Sequence, residues 1–191
     1  MASKQSTMLE LGTPAPDFAL PDGAGRRHAL ADFEDSHGLL VAILCNHCPF
    51  VLHILDGFVK FAAEYARKDL AIVAISPNDV AAYPQDAPAE MLRLAQERGF
   101  TFPYLFDESQ AVAKAFRAVC TPEFYLFDRN RRLVYRGQFD DSRPRGHGPV
   151  TGAELRAAAD ALLASRPVST DQKPSMGCSI KWKPGNEPDW A

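Results

Sequence analysis

Two uninterrupted apolar runs, Leu39-Leu-Val-Ala-Ile-Leu44 and Leu70-Ala-Ile-Val-Ala-Ile75, constrain this chain more than any other feature. Such runs are expected of strands buried on both faces of a sheet. Between them, Val51, Leu52, Leu55, Phe58, Val59, Ala62 and Ala66 recur at spacings of three and four, marking an amphipathic helix from Pro49 to about Lys68 with proline in its first turn. Strand, helix and strand in that order require a right-handed crossover between parallel strands.

The remaining pattern extends this sheet. A Pro/Gly-rich segment, 11–30, reads as extended chain and a hairpin turning at Pro21-Asp22-Gly23. Helices are expected near 89–98, closed by Gly99, near 110–119, and near 152–165. Strands are expected at 102–106, 124–127 and 133–136, the last two as a hairpin around Asp128-Arg-Asn130. The fold class is α/β: a mixed central sheet in one domain, flanked by helices. Boundaries fall at a leader, 1–8, a domain, 9–166, and a polar, Pro-rich tail, 167–191. Because the tail carries Trp182, Trp190 and Cys178, it is expected to dock on the body through Ile180 and Trp182.

Charge and composition exclude several classes of function. With 21 basic and 24 acidic residues the net charge is −3, and no basic block offers a footprint for nucleic acid. No apolar run approaches the roughly 20 residues that span a bilayer, and the first residues lack the apolar region of a signal peptide. A soluble, cytoplasmic protein is expected, without nucleic-acid or membrane partners. In a reducing compartment, closely spaced cysteines are more often reactive than structural.

Cys45-Asn46-His47-Cys48 stands where the first buried strand gives way to the helix. Unpaired amides and the positive end of a helix dipole stabilise a thiolate there, and a protonated His47 would act in the same direction. At the end of the strand Cys45 is expected to be exposed and to attack, with Cys48, one turn inward, resolving. Half of a zinc finger is disfavoured, because no second C-x-x-C or paired histidines follow at finger spacing. A metal held by Cys45 and Cys48 with His47, His53 or Cys120 is a minority reading, and no metal or organic cofactor is assigned. The Asp140, Asp141 and Arg143 segment reads as a solvated loop.

The order of these elements resembles the thioredoxin fold with the N-terminal extension of peroxiredoxins. Gly12-Thr-Pro-Ala-Pro-Asp-Phe18 is similar to the opening of the alkyl hydroperoxide reductase and thiol-specific antioxidant (redoxin) family. Cys45-Asn-His-Cys-Pro-Phe-Val51, Cys120-Thr-Pro-Glu-Phe124, Arg136-Gly-Gln-Phe-Asp-Asp-Ser-Arg-Pro144 and Gly177-Cys-Ser-Ile-Lys-Trp-Lys-Pro-Gly-Asn186 resemble a peroxiredoxin-like thioredoxin subgroup. The resemblance implies that Pro122 is a cis-proline beside the C-x-x-C, where the residues alone would favour trans, and that Thr121 and Cys120 lie near the site. It makes Cys48 the counterpart of the peroxidatic cysteine, with Cys45 in the place of the peroxiredoxin threonine and Thr121-Pro122 where an arginine is usual. The expected activity is thiol-disulfide exchange through Cys45 and Cys48, on protein or small-molecule disulfides and thiols. Weak peroxide reduction is the alternative, with Cys178 as an auxiliary thiol. The sequence names no electron donor.

Overall fold

A computed structural model describes residues 3–146 and 148–191 of the chain. Its strands and α-helices run β1 (Ser3–Gln5), β2 (Ala19–Pro21), β3 (Arg27–Ala29), β4 (Gly38–Ile43), α1 (Pro49–Ala66), β5 (Leu70–Ser76), α2 (Pro88–Arg98), β6 (Tyr104–Phe106), α3 (Ala111–Ala115), β7 (Cys120–Thr121), β8 (Glu123–Phe127), β9 (Leu133–Gly137), α4 (Ala153–Leu163) and β10 (Met176–Ser179). The two apolar runs become β4 and β5, paired in parallel at the centre of a sheet ordered β6-β5-β4-β8-β9. Strand β6 joins β5 in parallel, whereas β8 and β9 form the expected antiparallel hairpin on the other side of β4.

Alternation along β4 divides the core into two layers. Leu40 and Ala42 face Phe58, Phe61 and Tyr65 of α1 and Leu155 of α4, while Leu39, Val41 and Ile43 face Phe18, Val112 and Phe116. A large apolar side chain removed from water in this way contributes roughly 1.5–3 kcal/mol. Helix α2 ends as read, with Gly99 in the left-handed conformation at φ 65°. The helix expected over 110–119 is corrected to the short α3. Gln110 and Arg117, with φ of 63° and 51°, bracket it and turn the chain out of the helical region. No helix among the described residues is long and apolar enough to cross a membrane.

A second sheet, ordered β1-β10-β7, has no counterpart in the strand pattern read from the sequence. Its strands are two to four residues long and come from both ends of the chain and its middle. Strand β10 lies between the others, pairing Cys178 with both Ser3 and Thr121. Gly177 makes that approach possible: a Cβ there would stand 2.0 Å from the Thr121 carbonyl oxygen, closer than any real contact. Beyond β10, the Ile180 amide donates to the Val119 carbonyl, and the buried Gln110 side chain bonds the main chain of Lys181 and Lys183. Ile180 is buried in the second core layer and Trp182 packs against it.

Candidate active site

Two backbone features bring the cysteines together. Strand β4 ends before Cys45, and α1 opens at Pro49, which makes Cys48 its N-cap residue. Across from them, the Thr121–Pro122 bond between β7 and β8 is cis, as the resemblance implied. The Cys45 sulfur lies 3.3 Å from the Thr121 hydroxyl, and the Cys48 thiol donates to the Thr121 carbonyl oxygen at 3.1 Å. Sequence-distant Thr121 thus touches both members of the pair.

Exposure differs from the sequence expectation for Cys45. Both thiols are buried, Cys45 at 1% and Cys48 at 0%, because the Pro84–Asp86 turn and β10 cover the strand end. The two sulfurs also differ in electrostatics. The Cys48 thiol is drawn down to about 5, chiefly by the hydrogen bond from the Cys45 thiol, with help from Cys178, the Val51 amide in the first turn of α1, and Thr121. Cys45 is held well above the ordinary thiol range by donating to Cys48, by burial, and by the nearby Asp86 carboxylate.

Asp86, wholly buried, organises the two residues between the cysteines. One carboxylate oxygen accepts from the Asn46 amide at 2.8 Å; the other accepts from Asn78 at 2.8 Å and lies 2.7 Å from His47 Nδ1. The Asn46 side chain bridges the Gln85 carbonyl and the Tyr104 hydroxyl, and His47 stacks on Tyr83 with ring centroids 5.3 Å apart. The dipeptide is therefore fixed by loop residues that the sequence reading did not single out. An acidic residue in a Pro-rich loop carries no local signal of this role; only the tertiary approach of 39 residues gives it meaning. Cys45, His47 and Asp86 also place one potential metal-ligating atom each within 4.8 Å of one another.

The other thiols have separate surroundings. Cys178 is buried beside Cys48 and is pushed up to about 12, first by burial and then by Cys48. The Cys120 sulfur turns to the Glu123 carboxyl at 3.8 Å and the Pro122 carbonyl at 3.9 Å, and burial with Glu123 pushes that thiol up. Burial likewise raises the Glu123 carboxyl to about 7, against the pull of the Val119 and Cys120 amides that it accepts. His53 is outside this cluster, its ring 3.0 Å from Ser142. The solvated-loop reading fails for Asp140: it is 4% exposed and accepts from Ser142 and from the Thr151 and Gly152 amides that lead into α4. Asp141 and Arg143 remain peripheral, paired with Lys173 and with Gln138 respectively.

Known proteins share this fold. A crystal structure of the hypothetical protein SMc02350 of Sinorhizobium meliloti 1021 is 52% identical, covers 95% of this chain and 99% of its own, and superposes with a TM-score of 0.94. A conserved protein of Geobacillus kaustophilus is 50% identical over 97% of this chain and 98% of its own, with a TM-score of 0.95. Among curated proteins, the thiol-disulfide oxidoreductase ResA of Geobacillus thermodenitrificans is 24% identical over 129 residues, 68% of this chain and 70% of its own. The family model described as AhpC/TSA matches residues 11–136, a span that holds the central sheet up to Arg136 of β9, α1, both cysteines of the pair and the Thr121–Pro122 peptide. The chain belongs to the AhpC/TSA family, peroxiredoxin-like redoxins, and has the thioredoxin-like form of its fold.

Proposed function

We propose that this protein is a thiol-disulfide oxidoreductase in which Cys45 and Cys48 alternate between dithiol and disulfide, exchanging electrons with protein or small-molecule disulfides and thiols. The observation that carries the reading is the meeting of both sulfurs at Thr121, with Cys48 at the N-cap position of α1. In the reductive direction, the Cys48 thiolate attacks one sulfur of a substrate disulfide; a mixed disulfide forms, and the other substrate sulfur leaves and takes up a proton. Cys45 then loses its proton and attacks Cys48, the second substrate sulfur leaves, and the pair is oxidised by two electrons. This order reverses the one expected from the sequence: the interaction between the two thiols favours the thiolate at Cys48 and the neutral thiol at Cys45, with burial and Asp86 further opposing ionisation of Cys45. Asn46 and His47, held by Asp86, fix the spacing of the two thiols, and the Thr121 hydroxyl steadies Cys45.

The test is trapping. Incubated with glutathione disulfide, Cys45→Ser accumulates protein oxidised at Cys48, whereas Cys48→Ser accumulates none at Cys45. Glutathione accumulating on Cys45 in the Cys48→Ser protein, with Cys48 unreactive in the other, restores the original order. If neither thiol exchanges, the activity is refuted.

Peroxide reduction is the second reading, favoured by the same ionised Cys48. The thiolate would attack one peroxide oxygen, releasing water or alcohol and leaving a sulfenic acid that a neighbouring thiol condenses with. Hydrogen peroxide consumption that is lost in Cys48→Ser and retained in Cys45→Ser would support it.

A further inference from the structure

The oxidoreductase reading uses two thiols, yet a third sulfur is built into the same end of α1. Cys178 reaches it from 130 residues away on β10, the strand inserted between β1 and β7. Its backbone partner is Thr121, the residue whose carbonyl accepts the Cys48 thiol. Cys178 and Cys48 are buried in one cluster together with Cys45, close enough for each to bear on the ionisation of the other. Strand β10 packs against α1, which sets both sulfurs beside the first turn of that helix. Gly177 clears the way, since any side chain there would collide with the Thr121 carbonyl. The strand is held on both edges and continued by the bonds of Ile180 and Lys181 to the body, so Cys178 is delivered to a fixed place.

We propose that Cys178 is a third redox thiol, which takes the disulfide over from Cys45 and forms a Cys48–Cys178 bond. Resting on the exchange activity above, the step begins from the oxidised Cys45–Cys48 pair. Cys178 loses its proton and attacks the Cys48 sulfur; the Cys45–Cys48 bond breaks, and Cys45 leaves as a thiolate that takes up a proton. One disulfide is exchanged for another with no net oxidation, so no further reactant is required. The product frees Cys45 and ties β10 covalently to the start of α1. The pair is thereby coupled to the tail: the disulfide that an electron donor meets is carried by the tail strand. Cys120 stays outside the relay, because its sulfur faces Glu123.

The experiment is to oxidise the full chain with glutathione disulfide, quench with acid, alkylate the remaining thiols in denaturant and map disulfides by mass spectrometry over time. Wild-type protein is expected to show Cys45–Cys48 first and Cys48–Cys178 growing at its expense, with Cys120 alkylated throughout. Cys45→Ser is expected to form Cys48–Cys178 with loss of glutathione from the mixed disulfide, and Cys178→Ser to stop at Cys45–Cys48. If Cys178 is fully alkylated at every time in the wild type, and Cys45→Ser keeps glutathione on Cys48, the relay is overturned while exchange by the pair stands. If Cys45 and Cys48 never pair but Cys45→Ser still links Cys48 to Cys178, the pair reading has failed and the contact between these two sulfurs is upheld. Wild-type mapping depends on no substitution, so a variant that fails to fold leaves the outcome readable.

Discussion

The two sheets of this molecule are built on opposite physical terms. The central sheet rests on strands of up to seven residues, nearly every one buried, whose side chains fill a layer on each face. The small sheet β1-β10-β7 has strands of two to four residues, and its central element is admitted by the absence of a side chain at Gly177. Area removed from water stabilises the first, and backbone proximity defines the second. The reactive sulfurs lie at the junction: Cys45 follows β4 of the large sheet, Cys178 belongs to the small one, and Cys48 lies between them at the head of α1. Rigidity comes from one region and chemical adjacency from the other, so damage to each should have a different signature.

The largest effect on stability should come from the large sheet. Leu40→Ala removes a wholly buried side chain and is expected to lower unfolding free energy by about 2–5 kcal/mol in a urea titration, with the redox potential of the thiols unchanged. A shifted potential would break the separation of the two regions. Gly177→Ala forces a methyl group against the Thr121 carbonyl and is expected to cost about 1–3 kcal/mol. Unlike the first variant, it should change the cysteine chemistry, read as slower formation of Cys48–Cys178 and faster proteolysis within 167–183. If it behaves as Leu40→Ala does, the small sheet is only scaffolding.

The smallest effect concerns pH. Glu123, at the start of β8 beside the cis peptide, is raised by burial from the usual 4.5 to about 7. Between those values the folded chain keeps a proton that the unfolded chain has lost, so stability falls as pH rises through this window. Replacing Glu123 with Gln should flatten that slope, a difference of about 2–4 °C in melting temperature for each kcal/mol involved. Equal slopes for the two proteins would show that the carboxyl does not retain its proton.

The sequence made the large sheet legible because its signal is local. Six apolar residues in a row, followed by helical spacing, leave few alternatives for Leu39–Leu44 and α1. The C-x-x-C was visible for the same reason, being four consecutive residues at a chain position defined by its flanks. Thr121 and Pro122 entered only through family resemblance; the residues alone would have favoured a trans bond. Asp86 and Asn78 escaped notice because isolated polar residues in loops acquire a role only when folding brings Asn46 and His47 to them. Asp140 was misread for a related reason: a charged residue among polar neighbours looks solvated, yet it is buried under the amides that begin α4. Short strands such as β7, with two residues, offer no period to read.

The insertion of β10 also sets an order in time. Cys178 follows Cys48 by 130 residues, so at ~5–20 residues per second a ribosome needs roughly 6–26 s to travel from one to the other. Throughout that interval β4 and the thiol pair are already made, with α1 following within its first part, while the strand that will cover them is not. The nascent chain therefore passes through a stage in which Cys45 and Cys48 meet small thiols and oxidants of their surroundings without the tail, and arrival of β10 closes that stage.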